Sequence, residues 1–366
     1  MRRAAPTSDR GVPAPAAGAL ALALLLGACA RDGGLQEASL PLAGGDAVVQ
    51  ARDADPAKLQ AAIAEATTAS AAATAEWHAW RPSTLVDINN AFRRGQSVPS
   101  TPTIERLLAR SRTFATASGG LLDPAIGGLV DLWGFHADRF PLTTPPPTKA
   151  SIDAWLAARP RLEQVTLAGG KLTSSNPSVQ LDFNSIVEGE GALALAATLR
   201  RHGVRDARLV LGGDQLALGD DGGRPWRVPL RDPYGGELGS VELADGEAFF
   251  TSGNYDKFRT STSGGRWGHV LDPRTGMPAR GAAATAVLSD DPVHADAAST
   301  ALMVGGPAAF KRLVADLDIG CALMVTEENE LLITRAMRAR FTFARNPIPL
   351  GPDVDAGGDC RAPMLP

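Results

Sequence analysis

The stretch AAATAVLSDDPVHADAASTALMVGG, residues 282–306, joins a predicted strand to a predicted helix across a short break at Pro292. A helix that begins near His294 places Asp296 and Thr300 on one face, because residues four apart are neighbours on a helix. A carboxylate and a hydroxyl are hard oxygen ligands, which suit Mg²⁺ rather than zinc. Asp-x-x-x-Thr is a weak pattern on its own, and the two residues also fit a simple role in capping and decorating a helix.

The elements predicted elsewhere indicate an α+β fold. Helices are predicted over 53–80, 100–118 and 188–204, and residues 164–183 alternate like a β-hairpin. The elements form no regular βαβ series, which favours mixed sheets with packed helices over a doubly wound parallel sheet. No GxGxxG motif follows a strand, so the sequence does not predict a Rossmann dinucleotide site. The 366 residues are enough for one large domain or two closely packed ones.

The N-terminus has the pattern of a secretory signal. Arg2, Arg3 and Arg10 precede a short apolar run that ends in LGAC, and a Cys at this place resembles the lipobox of bacterial lipoproteins. We therefore expect an exported protein, anchored to a bacterial membrane by lipid on Cys29 and facing the periplasm. An ordinary signal peptide with an incidental Cys is the alternative. The predicted segments are a lipoprotein signal peptide (1–28), a tether (29–45), a folded domain (46–345) and a Pro- and Gly-rich tail (346–366).

Charge and cysteine content exclude some classes of function. The net charge of −4 lacks the basic excess typical of nucleic-acid binding, so no nucleic-acid partner is expected. No Cys or His pair has zinc-ligand spacing. Export permits a disulfide between Cys321 and Cys360. Cys321 also lies in an apolar segment that is typical of a buried strand, so a core thiol remains equally open.

Three further segments place polar groups at turns. In GHVLDPRTGMPARG (268–281), His269 comes directly before a tight turn at Asp272. In LDFNSIVEGEG (181–191), a strand, a turn and a helix follow one another, and such a corner presents free N–H groups to phosphate. SGGLLDPAIGGLVDLWGF (118–135) has a turn at its Asp-Pro pair. None of these segments identifies a function by itself.

Together and in order, these segments resemble the ApbE family of FAD:protein FMN transferases. The resemblance covers residues 40–345 and implies a single large α+β domain related to the T-fold. The segments that carry it are WRPSTLVDIN (80–89), SGGLLDPAIGGLVDLWGF (118–135), LDFNSIVEGEG (181–191), VLGGD (210–214), FFTSGNYDKF (249–258), HVLDPRTGMP (269–278) and ADAASTALMVGG (295–306).

The resemblance implies a Mg²⁺-dependent reaction with FAD as substrate. Members of the family cleave the FAD pyrophosphate, transfer FMN to a Thr hydroxyl of an acceptor redox protein and release AMP. Two alternatives stay open: an FAD pyrophosphatase that yields FMN and AMP, and a lipoprotein that binds FAD without catalysis.

The resemblance also implies roles for individual residues. Asp296, Thr300 and the main-chain carbonyl of Ser185 are the expected Mg²⁺ ligands. His269 is the candidate proton acceptor, with Asp272 or the metal alone as alternatives. The expected FAD-binding residues are Trp80, Leu121, Leu122, Asp123, Asp182, Glu188 and Val270.

Two departures from the family pattern affect the expected flavin site. The family's Met-Gly-Thr is Ala43-Gly44-Gly45 in this chain, and its Gly-Tyr-Ala-x-Asp is Gly189-Glu190-Gly191-Ala192-Leu193. We expect Glu188 and Glu190 to place two negative charges near the pyrophosphate and to weaken FAD binding unless Mg²⁺ or helix N–H groups compensate.

Overall fold

The structure is a computed structural model that describes residues 34–260 and 264–344, together with residue 354 and residues 358–361. The predicted signal peptide and the lipidation site at Cys29 lie outside the described residues, as does most of the predicted tail. In the part of the chain that is described, no helix is long and apolar enough to cross a membrane.

The described residues contain eight α-helices. They are α1 (Pro56–Trp77), α2 (Thr84–Arg93), α3 (Pro102–Ala117), α4 (Gly127–Trp133), α5 (Lys149–Ala158), α6 (Val187–Arg201), α7 (Pro292–Asp316) and α8 (Arg335–Arg340). Local chemistry sets where they start. The Asp55 side chain accepts hydrogen bonds from the N–H groups of Ala57 and Lys58 at the start of α1, and Thr101 caps α3 in the same way.

The strands within the described residues are β1 (Leu35–Leu42), β2 (Gly45–Arg52), β3 (Val98–Pro99), β4 (Val165–Ala168), β5 (Lys171–Ser174), β6 (Ala207–Leu211), β7 (Asp214–Leu218), β8 (Trp226–Arg231), β9 (Glu237–Leu243), β10 (Ala248–Gly253), β11 (Phe258–Thr260), β12 (Arg266–Gly268), β13 (Leu271–Asp272), β14 (Met277–Pro278), β15 (Ala282–Ser289), β16 (Cys321–Thr326), β17 (Leu331–Ile333) and β18 (Phe341–Phe343). An antiparallel sheet of eight strands, the main sheet, has the order β1-β2-β6-β7-β10-β15-β16-β17. The smaller sheets are β18-β9-β8, β3-β5-β4, β11-β12 and β13-β14.

The main sheet is buried on both faces. Side chains alternate between the faces of a strand, and β15 shows this directly. Val287 packs in the larger core beneath α1, α6 and α7, whereas Ala286 and Leu288 pack in a second core with β8 and β9. We call these two sides the helix face and the β8–β9 face.

Helix α7 starts two residues earlier than expected and is interrupted by a kink at its glycines. Asp291 caps it, accepting from the N–H of Val293, and Pro292 is its first residue. Gly306 has a φ of +64° and a ψ of −174°, which are not helical, so α7 consists of two helical segments joined by a kink. The buried His294 contacts Ser289 Oγ through Nδ1 and the Leu317 carbonyl through Nε2, which makes it a core residue.

The predicted tether over 29–45 is wrong for residues 35–45. Leu35–Leu42 forms β1, which pairs along its whole length with β2. The turn uses Ala43 and Gly44, both with positive φ. Leu40 and Leu42 point inward and are buried against α1 and α6, while the intervening Pro41 is exposed. This alternation is typical of a half-buried edge strand.

Cys321 and Cys360 form a disulfide, which decides between the two possibilities that the sequence left open. It joins β16 to the C-terminal segment across 39 residues. Val354 adds a main-chain hydrogen bond, since its N–H donates to the Ile333 carbonyl at 3.0 Å. At these described positions the predicted tail is attached to the main sheet.

Candidate functional site

One cavity of about 1200 Å³ lies at the end of the main sheet where β7, β10 and the starts of α6 and α7 meet. Every site residue predicted from the sequence lines it except Asp272. The predicted residues at its wall are Trp80, Leu121, Leu122, Asp123, Asp182, Ser185, Glu188, His269, Val270, Asp296 and Thr300.

Helices α6 and α7 touch at their first turns, and this contact builds the candidate metal corner. A Cβ on Gly189 would lie 2.5 Å from the Pro292 carbonyl oxygen, so only glycine permits the approach. The Gly189 N–H donates to Asp296 Oδ2 at 2.9 Å. The carboxylate thereby satisfies a free donor at the start of α6.

Thr300 lies one turn after Asp296 and completes the pair. Its hydroxyl donates to the Asp296 carbonyl at 3.2 Å, which leaves its lone pairs available to a ligand. Ser252 Oγ lies 3.4 Å from Thr300 Oγ1 and 2.8 Å from Ser299 Oγ. The end of β10 therefore fixes this face of α7.

Three carboxyl groups meet at the corner. Burial, followed by the negative charge of Glu188, raises the pKa of Asp296 well above its usual value. Burial also raises the pKa of Asp214 well above its usual value, and the charge of Glu188 and a hydrogen bond with it add to the effect. A divalent cation would stabilise the ionised forms of these groups, since an opposite charge nearby favours ionisation.

The donor set at the corner fits a hard cation. Within the described residues, no three His, Cys, Asp or Glu side chains form a metal group by themselves. The candidate ligands are instead one carboxylate (Asp296), one hydroxyl (Thr300) and the carbonyl of Ser185 in the turn before α6, all at the cavity wall. Such an all-oxygen set, completed by phosphate and water, suits Mg²⁺.

Trp80 forms an aromatic wall of the cavity. Its indole N–H donates to Asp182 Oδ2 at 3.0 Å, and His136 stacks on it with ring centroids 4.7 Å apart. Asp182 Oδ1 accepts from the N–H of Asn184 at 2.9 Å. Asp182 thus holds the tryptophan and the turn that leads to Ser185, and burial raises its pKa.

Asp123 has a local structural role at the cavity wall. Its Oδ1 accepts from the Ala125 N–H at 2.8 Å and its Oδ2 from the Leu162 N–H at 3.3 Å. These bonds fix the turn that directly follows Leu121 and Leu122, two residues that also line the cavity.

His269 faces the cavity as a neutral ring. Burial, and next the positive charge of Lys257, lower its pKa to about 4. Its Nδ1 is buried and has no hydrogen-bond partner among the described residues. At neutral pH the imidazole is therefore neutral, and its Nδ1 forms no hydrogen bond with the described residues.

The structure does not bring Asp272 to the cavity wall. Arg274 binds both of its carboxylate oxygens, with Nη2 at 2.8 Å from Oδ2 and Nε at 2.9 Å from Oδ1. The main-chain N–H of Arg274 also donates to Oδ1. Asp272 thus stabilises its own turn, and this pairing favours His269 over Asp272 as the candidate proton acceptor.

Of the two glutamates expected near the pyrophosphate, only one lines the cavity. Glu188 lines the cavity, but Glu190 lies on the other side of α6, where it forms ion pairs with Arg106 at 3.1 Å and Arg110 at 3.0 Å. Arg110 also contacts Asp291, the cap of α7. Glu190 therefore ties α6 to α3 and α7, because helix positions two apart face different directions.

The sequence reasoning did not single out Asp214, Ser252 or His136, although all three line the cavity. The signal for the first was present in the Gly-Gly-Asp turn between β6 and β7. Gly213 is needed there, since a Cβ would lie 2.5 Å from Thr251 Oγ1. The other two depend on contacts between segments that are distant in the chain.

Comparison with known proteins decides the family. Residues 45–324 match the sequence profile of the ApbE family. This chain belongs to the ApbE family. A Rhodobacter capsulatus protein named FAD:protein FMN transferase is 40% identical over 296 residues, which are 80% of this chain and 55% of that relative. A Klebsiella pneumoniae relative of the same name is 31% identical over 229 residues, 60% of this chain and 64% of its own length.

Solved structures confirm the predicted ApbE fold as a single α+β domain. The flavin transferase ApbE from Vibrio cholerae superimposes with a TM-score of 0.72 at 23% identity, over 83% of this chain and 98% of that one. The apo flavinyl transferase ApbE from Pseudomonas stutzeri gives 0.71 at 27% identity, over 84% and 96%.

Proposed function

We propose that this ApbE family chain transfers FMN from FAD to a Thr hydroxyl of an acceptor protein, in a Mg²⁺-dependent reaction that releases AMP. The main support is the oxygen-lined corner of Asp296, Thr300 and Ser185, which opens into a cavity with an aromatic wall at Trp80. The names of the two relatives above support the same reaction class.

The residues of the corner would hold the substrate phosphates. A divalent cation bound by Asp296, Thr300 and the Ser185 carbonyl would neutralise charge on the pyrophosphate. The start of α6 would add its positive dipole end and free N–H groups. Phosphoryl transfer needs mostly such positioning and charge stabilisation.

His269 is the proposed proton acceptor in this reaction. The Thr oxygen of the acceptor forms a bond to the phosphorus of the FMN half, and the bond from that phosphorus to the bridging oxygen breaks. AMP leaves with the bonding electrons, and the hydroxyl proton moves to the neutral imidazole of His269. The pKa of the ring is about 4 without ligands, and the negative charge of a bound pyrophosphate would raise it toward the operating pH, where a general base works best.

We also propose that the protein is exported and lipid-anchored. The disulfide between Cys321 and Cys360 supports an oxidising compartment. We expect palmitate fed to producing bacteria to label the wild-type protein and to shift it to the membrane fraction. Cys29→Ala should lose the label, and labelling of that variant at the wild-type level would contradict the anchor.

The proposed transfer is tested with purified protein, FAD, Mg²⁺ and an acceptor domain that the Rhodobacter capsulatus relative flavinylates. We expect one AMP for each covalent flavin on the acceptor, and neither product when EDTA removes the metal. AMP and FMN without an adduct would indicate a pyrophosphatase. Tight FAD binding with no AMP would indicate a binding protein.

A further inference from the structure

The cavity continues past the metal corner onto the β8–β9 face of the main sheet. Strand β7 passes between the part of the cavity at the metal corner and the part on the β8–β9 face. Leu216 and Leu218 of β7 pack on the helix face, and Ala217 packs on the β8–β9 face. By alternation Gln215 lies on the β8–β9 face. We call this part of the cavity the second arm, and its walls include Gln215, Pro229, Leu230, Arg231, Gly236 and Glu237.

Gln215 has an unused hydrogen-bond acceptor in the second arm. The residue is only 7% exposed, and its Oε1 has no hydrogen-bond partner among the described residues. A buried carbonyl left without a donor costs about 1–3 kcal/mol. Oε1 itself is buried, but Gln215 lines the cavity, so a rotation of its amide would present Oε1 to an N–H group of a ligand in the second arm and remove this cost.

Short contacts connect Gln215 to the metal corner. Thr300 contacts Ser252, whose neighbour Thr251 donates its N–H to Asp214 Oδ1 at 2.6 Å. Asp214 directly precedes Gln215. Neighbouring strands lie about 4.8 Å apart, and an extended chain advances about 3.3 Å per residue. A few residues of polypeptide therefore span the separation between Gln215 and the metal corner.

The predicted flavin-binding residues leave the second arm free. Leu121, Leu122 and Val270 belong to the core of the helix face, and Trp80 packs against it. The second arm instead combines apolar groups with Arg231, which forms an ion pair with Asp256 and stacks over the Tyr255 ring. Apolar and charged groups of both signs suit a polypeptide better than a dinucleotide, whose phosphates are all negative.

We propose that the acceptor polypeptide enters through the second arm as an extended segment. One of its main-chain N–H groups donates to Gln215 Oε1, and this places the Thr hydroxyl beside Asp296 and Thr300. The inference rests on the proposed FMN transfer and adds the route and a positioning residue for its protein substrate.

Gln215→Leu tests the proposal, because it removes the carbonyl and keeps the volume of the side chain. The probe is the acceptor domain described above with its target Thr replaced by Ala, so that affinity is measured without turnover. We expect calorimetry to show the acceptor Kd raised on the order of ten-fold. The FAD Kd should be unchanged, and the melting temperature should equal or exceed that of wild type because the unpaired buried carbonyl is removed. Gln215→Met should act alike, and Gln96→Leu, an exposed site outside the cavity, should have no effect.

The possible outcomes separate this inference from the proposed function. An unchanged acceptor Kd in both Gln215 variants would overturn the second arm as the acceptor route. A weakened FAD Kd with normal acceptor affinity would also overturn it and assign the arm to the flavin. Failure of the wild-type protein to form any covalent flavin would refute the transfer reaction itself, while the binding titration would still decide whether Gln215 contacts the acceptor.

Discussion

Asp296→Asn is expected to abolish Mg²⁺-dependent FMN transfer and to leave the fold intact. The amide has the shape of the carboxylate, and its oxygen can still accept a hydrogen bond from the Gly189 N–H. In the wild-type protein this N–H donates to Asp296 Oδ2 at 2.9 Å. It cannot supply the negative charge that a divalent cation requires. Charge neutralisation at a phosphoryl group is worth several kcal/mol, so we expect the rate to fall at least ~100-fold.

Stability provides an independent readout for this variant. The pKa of Asp296 is raised in the folded protein, so the metal-free fold binds more protons than the unfolded chain. Its contribution to stability is fully present below the unfolded pKa and is lost as pH rises through the folded pKa. Asn does not ionise, so Asp296→Asn should not lose stability at this site as pH rises. The metal-free variant should therefore melt no lower than wild type at neutral pH.

The measurements are single-turnover FMN transfer and melting curves with and without Mg²⁺. Asp316→Asn, near the C-terminal end of the same helix, is the matched control and should behave like wild type in transfer. Transfer by Asp296→Asn within about three-fold of wild type, which corresponds to less than 1 kcal/mol of barrier, would contradict the metal assignment.

Gly189→Ala is expected to have the second-largest effect, through the contact between α6 and α7. Its Cβ would lie 2.5 Å from the Pro292 carbonyl oxygen and 2.6 Å from Val293 Cα, both main-chain atoms that cannot rotate away. The helices must separate, and overpacking of this kind costs about 1–3 kcal/mol. The shift also moves the Gly189 N–H away from Asp296, so FMN transfer should fall with stability.

Gly191→Ala, two residues further along α6, is the matched control. Its Cβ would meet only the Leu42 and Ala43 side chains, at 3.2 Å and beyond. Ala is favoured over Gly within a helix by about 1 kcal/mol, so this variant should equal or exceed wild type in stability. Urea unfolding compares the pair, and equal midpoints for the two variants would contradict the close helix contact.

Local patterns were enough to predict part of the geometry of the candidate metal corner. Asp296 and Thr300 lie on one face of α7 because the i, i+4 relation holds in any α-helix. The helix predicted over 53–80 is α1, and its start at Asp55 and Pro56 is a local cap that needs no tertiary contact. The hairpin predicted over 164–183 is real but shorter, since β4 and β5 turn at Gly169 and Gly170 and end at Ser174.

Other features depend on contacts that no local pattern contains. The first strand was taken for a tether although its partner, β2, follows directly after the turn at Ala43-Gly44. What holds this hairpin in the main sheet is the pairing of β2 with β6, which lies far along the chain. The periodicity of α6 already separates Glu190 from Glu188, but the ion pairs of Glu190 with Arg106 and Arg110 of α3 are such tertiary contacts. Gln215 is buried only because β8 and β9 cover that face of the sheet, so the sequence alone gave no reason to select it.

The central claim is that Asp296, Thr300 and the Ser185 carbonyl hold one divalent cation against the phosphates of FAD. The most direct test is a crystal structure with FAD and Mn²⁺, in which anomalous scattering locates the metal. We predict one peak at direct coordination distance, about 2.0–2.2 Å, from the Asp296 carboxylate, the Thr300 hydroxyl and that carbonyl. A metal bound elsewhere, for example between Glu188 and Asp214 with Thr300 uncoordinated, would contradict the account.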